Sequence, residues 1–350
     1  MYQTDQKNTD IFTEQLDRLY DNIKTEQIRA AGKIRHEIAE LEAAIRDEKL
    51  LARSMLYEAR LEMLKGNLDK GEKLLEGAAE AFVLTGGNLY YYHFFKGLLL
   101  YRQDKLQEAI VEYERAESFL TVQIDQREVS DFYYKLANTY YYMGMTVFSI
   151  LNADKAIEAA ISYNQELQLA KCRLLQGLNY LEKADFRKAE QLFLAALEDG
   201  ATESELQLPI YIHHNLGVLY FKQNQLEKAL WYFDRSMQNQ HPEYYLKSLY
   251  YVTECCFLLG RKEQAMDYFA EGFALSKERD EDAYKWMFAM LHKQYIDKDS
   301  FEGVWQEGIK YFQSIHDGPN VRYYSEQLAE YYKENQDFEN ASKYYLLTLK

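Results

Sequence analysis

Between Ser130 and Ile157 the chain reads SDFYYKLANTYYYMGMTVFSILNADKAI. Tyr134, Asn138, Tyr141 and Tyr142 fall within it at intervals of three and four, which return to one face of a helix. These residue types suit recognition of a peptide. A tyrosine offers broad apolar contact, a polar tip and few torsions to freeze. An asparagine carries a donor and an acceptor together, so it can bracket a peptide bond whatever side chains the ligand has.

Other groups that attract attention are poorly arranged for chemistry. His213 and His214 are adjacent, so on a helix their side chains diverge by about 100°. No Cys or carboxylate spacing completes a metal site around them. Cys255 and Cys256 also adjoin and read as packing residues; three cysteines in all make no disulfide framework. The chain has no Walker motif, no GxGxxG and no nucleophile elbow. The expectation is therefore no metal or other cofactor of its own.

The bulk composition says what must position the tyrosines. Only 3 of 350 residues are proline, which argues for helix nearly throughout. A net charge of −15 argues against a nucleic-acid binder, since phosphate contacts need Lys and Arg. No uncharged apolar segment is long enough to span a membrane. The opening MYQTDQKNTD lacks the apolar core of a secretory signal. A reducing cytoplasm is the expected home.

The chain repeats itself. Small residues recur at Gly97, Ala137, Gly177 and Gly217, each followed by a second one at Ala109, Ser149, Ala189 and Ala229; the step is 40 residues each time. Thr253 with Ala265 follows after 36 residues, and Ala329 with Ala341 after a further 76. The longer interval leaves room for one degenerate unit around Trp286 to Phe312. An aromatic often stands four residues beyond the second small residue. This is the helix–turn–helix pattern of a tetratricopeptide repeat (TPR). Pro209, Pro242 and Pro319 fall between units, where proline is tolerated in a first helical turn. The expected fold is all-α: an N-terminal helical bundle followed by a right-handed TPR superhelix of about six to seven repeats. Trp231, Trp286 and Trp305 read most simply as core.

In a TPR the first helix of each pair lines the concave surface. Taking Ala137 as the eighth consensus position puts Tyr134, Asn138, Tyr141 and Tyr142 at or near that surface. The same count places Glu182 and Asn215 there in the next two units, and Tyr251 and Glu254 in the fifth. Acidic residues among them would favour a basic peptide. With 32 tyrosines in the chain, most must serve as packing.

Residues 1–85 do not fit the repeat. Apolar residues at helical spacing predict a three-helix bundle over 1–68, then a connecting helix and a Gly86–Gly87 hinge over 69–88, with the TPR domain over 89–350. The run KIRHEIAELEAAIRDEK has the mixed charges of a solvated helix face.

The stretches LYYYHFFKGLLLYRQDKLQEAIVEYERAE and YYKLANTYYYMGMTVFSI, together with the bundle LDRLYDNIKTEQIRAAGKIRHEIAELEAAIRDEKLL, resemble the Rap family of Bacillus. These are TPR quorum-sensing regulators that answer to secreted Phr peptides. The resemblance implies two partners. One is a response regulator protein gripped by the bundle, with Arg46, Asp47 and Lys49 as candidate contacts. The other is a short secreted oligopeptide in the TPR groove. Asn215 matches the groove asparagine that holds the peptide backbone, and Glu182 stands where the family tends to have Asp. No helix-turn-helix precedes the bundle, which sets the chain apart from DNA-binding relatives; neither nucleic acid nor a membrane is an expected partner. End-to-end pairing of two copies as a homodimer is compatible with the pattern.

One departure bears on activity. Phosphatase members of the family carry a Gln at the start of the third bundle helix, where its amide can orient water for attack on an aspartyl-phosphate. Any magnesium would belong to the response regulator. Here the matching stretch is RDEKLL, the aligned residue is Glu48, and no Gln occurs between Ile28 and Leu64. The resemblance with this change points to a regulator that sequesters its partner. The alternatives are an aspartyl-phosphate phosphatase using Glu48 as a catalytic residue, and a general TPR scaffold.

Overall fold

A computed structural model describes residues 2–120, 124–200, 207–238, 240–297 and 301–349, with side chains from residue 6 onward. Among these residues there are eighteen helices and no strand, the all-α architecture the spacing predicts. The chain forms two compact units, 1–184 and 185–350. In the first lie α1 (Tyr2–Lys24), α2 (Ile28–Glu42), α3 (Glu48–Leu64), α4 (Leu68–Ala81), α5 (Gly87–Arg102), α6 (Leu106–Glu117), α7 (Glu128–Tyr142), α8 (Thr146–Ser162) and α9 (Glu166–Glu182). The second holds α10 (Phe186–Asp199), α11 (Gln207–Lys222), α12 (Leu226–Met237), α13 (Pro242–Leu258), α14 (Lys262–Glu278), α15 (Asp282–Tyr295), α16 (Phe301–Ser314), α17 (Gly318–Glu334) and α18 (Phe338–Thr348). All three prolines lie in first turns, of α11, α13 and α17, where a missing N–H costs nothing.

Short turns separate the paired helices, and most of those among the described residues hold one residue in the left-handed region. Gly144 and Gly260 take it freely, whereas Ala184 does so at φ 56° and against its Cβ. The small residues of the repeat are where paired helices touch. A Cβ on Gly97 would lie 2.6 Å from the Tyr113 ring, and one on Gly217 would lie 2.5 Å from the Phe233 ring. The α7–α8 pair solves the same contact differently: Ala137 and Ala153 are both small and fully buried, with Leu175 of α9 filling the space beside them. The degenerate unit forms a real pair, α15 with α16. There Trp305 donates its Nε1–H to the Met290 carbonyl at 3.2 Å, and a Cβ on Gly308 would meet the Met290 sulfur.

In the first unit one apolar core runs from Phe12 and Leu16 through Ile38, Leu56 and Leu75 to Phe95, Tyr113 and Phe132. Bundle helices, α4 and the first repeat helices therefore share packing across the boundaries at 68 and 88. Asn88, just past the glycine pair, is buried; its Nδ2 donates to the Lys49 carbonyl at 2.8 Å and its Oδ1 accepts from Arg53 at 3.2 Å. These bonds tie the start of α5 to α3.

Trp305 is buried as expected, but Trp231 is 50% exposed. It sits two positions from both Ala229 and Phe233, which face the core, and two positions turn a helix by about 200°. Its ring is covered instead by the Arg235 guanidinium, 3.1 Å from its centroid.

Candidate functional site

The sequence-predicted residues fall into three places, each built locally. The first is the start of α3. Asp47 is its N-cap: Oδ1 accepts from the Lys49 N–H at 2.9 Å and the Leu50 N–H at 3.3 Å. This satisfies two of the four donors a helix leaves unpaired at its beginning. Arg46, Asp47, Glu48 and Lys49 are all exposed. Glu48 opens the helix, where an anion is favoured by the helix dipole. Of the three candidate partner contacts, Asp47 thus has a structural task, while Arg46 and Lys49 offer cations at the surface.

The second place spans α5 and α7. Asn138 donates its Nδ2–H to the Tyr101 hydroxyl at 2.9 Å, and the Tyr101 and Tyr142 rings meet edge to face at 6.0 Å. Tyr142 is 63% exposed and packs edge-on against Tyr141. Burial pushes the Tyr101 phenol up to about 12, so it stays a neutral donor and acceptor. Tyr134 and Tyr141 are half-buried against Ala137, Ala153 and Leu175. They mainly cement α7, α8 and α9, while Tyr142 and the Asn138–Tyr101 pair present polar tips and ring surface. Glu182, the last residue of α9, is exposed. Tyr101 was not among the sequence candidates; its signal was its place in the helix preceding Asn138 by one repeat, 37 residues earlier.

The third place lies in the second unit. Asn215 donates one N–H to the Tyr211 carbonyl at 2.8 Å, a back-bond along its own helix. That fixes the amide and leaves its second N–H and its oxygen for other partners. Tyr251 stacks on Phe233 with ring centroids 5.4 Å apart and meets Phe221 at 5.3 Å, so much of it is packing. Glu254 is buried, and Tyr323 of α17 donates to its Oε1 at 3.4 Å. Burial pushes its carboxyl up to about 7. Tyr251 and Glu254 line one cavity with Phe221 and Tyr323; Asn215 is not part of that lining.

The adjacent histidines part company as their helical angle requires. His214 is buried, paired with Ser248 at 2.9 Å and pushed down to about 3 by burial; His213 lies beside Tyr232. The three cysteines are free and buried, and burial raises each thiol, Cys172 to about 12. Such thiols pack and do not attack. No helix among the described residues is long and apolar enough to cross a membrane.

No protein-family model matches the chain. Among curated proteins, it is 25% identical over 357 residues to response regulator aspartate phosphatase I of Bacillus subtilis, spanning 97% of this chain and 90% of that one. It is 28% identical over 351 residues to the regulatory protein RapF of the same organism, spanning 95% and 92%. Among solved structures, a Rap protein complexed with competence and sporulation factor superposes with a TM-score of 0.78 at 21% identity, over 97% of both chains. Over nearly its whole length, and in its all-helical fold, this chain is a homologue of the Rap proteins of Bacillus.

Proposed function

We propose that this protein is a cytoplasmic, peptide-switched regulator that binds a response regulator through its N-terminal bundle and acts by sequestering it. A short signalling peptide, held on the tyrosine- and asparagine-bearing helices, changes that binding. The relatives support the class: one is named a response regulator aspartate phosphatase, and a neighbouring Rap protein was solved in complex with competence and sporulation factor. Asn138 and Asn215 supply amides already oriented by one internal bond each. Pre-orientation reduces the entropy lost on binding a flexible peptide.

The observation that carries sequestration over hydrolysis is the start of α3. The exposed residue that opens this helix is Glu48, a carboxylate, and the neighbouring Asp47 carboxylate is engaged in capping. A neutral amide can both accept from a water and donate to a phosphoryl oxygen. A carboxylate can only accept, and its charge opposes the phosphoryl oxygens. Arg46 and Lys49 beside it suit a grip on an acidic partner surface.

The alternative is phosphatase activity through Glu48, favoured by the name of the first relative. The two readings separate on incubation with phosphorylated response regulators. Sequestration gives a stable complex with unchanged phosphate loss. Accelerated loss that disappears in Glu48→Ala would establish hydrolysis instead.

A further inference from the structure

In the second unit, α12 is the second helix of its pair, and its exposed side borders an open cleft of about 390 Å³. Three rings floor the cleft: Tyr220 of α11 with Trp231 and Tyr232 of α12. Tyr220 and Tyr232 stack with centroids 5.2 Å apart. Trp231 meets Tyr232 at 4.6 Å and an interplanar angle of 80°, so the two rings form a notch. Trp231 is the most exposed of the three tryptophans, and Trp305 is fully enclosed. Ring surface left in water on this scale adds nothing to the core and is a mark of an interaction site.

Two cations flank these rings. The Lys228 ammonium stands over Tyr220, 5.0 Å from its centroid, and the Arg235 guanidinium over Trp231 at 3.1 Å. Among the described residues neither pairs with a carboxylate; Arg235 donates only to the Trp231 carbonyl. The acids nearby are engaged or turned away. Glu190 accepts from the Tyr220 hydroxyl, and Glu227 accepts from Arg261. Asp234 lies about 100° around the helix from Arg235. In a chain of net charge −15, this cleft therefore presents the opposite sign.

The spacing of the cations selects a ligand backbone. Lys228 and Arg235 are seven residues apart, so their Cα atoms stand about 10 Å apart on one side of α12. A polyproline II strand returns to the same face every third residue and advances about 9 Å in doing so. Carboxylates at positions i and i+3 of such a strand would meet both cations at once, in charge-assisted hydrogen bonds. In a β-strand those two positions face opposite ways. Prolines between the acids would lie on the ring floor, as they do in aromatic-lined grooves, and their fixed conformation costs little entropy to hold. We propose that this cleft docks an acidic polyproline II segment of a partner protein, with Lys228 and Arg235 taking its carboxylates and Trp231 and Tyr232 its prolines. The proposal stands apart from the peptide-switch reading and uses none of its residues.

The probe is the capped peptide Ac-Glu-Pro-Pro-Glu-NH2, titrated into the full chain at low salt while tryptophan emission is followed. Its counterparts are Ac-Lys-Pro-Pro-Lys-NH2, Ac-Glu-Gly-Gly-Glu-NH2 and AMP. The expected result is saturable binding of the acidic proline peptide that weakens as salt is raised. The basic peptide should give no comparable response, and the glycine peptide should bind several-fold more weakly because it must be ordered first. The double variant Lys228→Gln, Arg235→Gln keeps the reporting indole and should weaken binding by at least about tenfold with an unchanged melting temperature. Lys228→Gln alone, at an exposed position, gives a smaller loss and serves should the double variant fold poorly. No response to the acidic peptide at millimolar concentration would overturn the proposal, as would equal binding of the basic or the glycine peptide. Undiminished binding to folded variants would do the same. Tighter binding of AMP than of the acidic peptide would assign the cleft to nucleotides instead.

Discussion

Asn138 of α7 donates to the Tyr101 hydroxyl of α5 at 2.9 Å, so the first helices of two successive pairs are joined by a polar bond. The bond does two things at once. It ties neighbouring repeats together, and it fixes which way a half-buried amide points.

Removing either partner should therefore affect both stability and recognition. Tyr101→Phe is expected to cost about 1 kcal/mol of unfolding free energy, the usual net worth of one hydrogen bond. Asn138→Ala should cost a similar amount and, in addition, weaken peptide binding. Denaturant unfolding and calorimetry on both variants check this; equal peptide affinity in Asn138→Ala would place the ligand elsewhere.

The contact of Gly217 with the Phe233 ring predicts a repairable defect. Gly217→Ala places a methyl 2.5 Å from that ring, and overpacking of this kind costs about 1–3 kcal/mol. Phe233→Leu makes room for the methyl. In a double-mutant cycle the pair should be less unstable than the sum of the single changes. Additive losses would mean that the helices do not meet through these two residues.

Much of this framework is legible in the sequence because it depends on size at a fixed step. Gly97, Ala137, Gly177 and Gly217 can be aligned by eye, and at Gly97, Ala137 and Gly217 the positions they mark are helix contacts. Long-range burial is different. Glu254 looks like one more acidic residue on a helix until Tyr323, 69 residues away, closes over it. The same holds for the bundle. Its apolar periodicity gives helices, but nothing local says that Phe12 and Phe132 belong to one core. Trp231 misled for the opposite reason: residue type suggested burial, while the helical angle from Ala229 and Phe233 turns it outward. The capping role of Asp47, by contrast, was readable as an Asp directly before an apolar helical run.

That cap can be measured. Asp47→Ala should lower stability by about 0.5–2 kcal/mol, whereas Asp47→Asn or Asp47→Ser should retain most of it. Arg46→Glu and Lys49→Glu should leave the melting temperature nearly unchanged and weaken binding of a response regulator. Melting curves and pull-down titrations separate the two kinds of residue.

A buried carboxylate joining three helices gives a pH signature. Glu128 of α7 accepts from Tyr20 of α1 at 2.8 Å and from Tyr91 of α5 at 3.1 Å. Burial, offset in part by these bonds and by Lys24, holds its carboxyl at about 7, against 4.5 for an ordinary glutamate. Between those two values the folded chain keeps a proton that the unfolded chain has released. Stability from this group is therefore full below pH 4.5 and is lost as the pH rises through 7. Glu128→Gln should be relatively more stable at pH 8 than at pH 4, by about 1–3 kcal/mol. Glu254 contributes with the same sign, so the variant should reduce the slope without abolishing it. An unchanged slope would mean that Glu128 ionises normally.

The central claim is that the chain is a peptide-switched regulator, and calorimetric titration with a panel of short Phr-type peptides tests it most directly. The account predicts that at least one peptide binds tightly, and that Asn215→Ala binds it at least about tenfold more weakly. It also predicts that the same peptide releases a captured response regulator. Absence of binding across the panel, with the protein folded by its melting curve, would contradict the account.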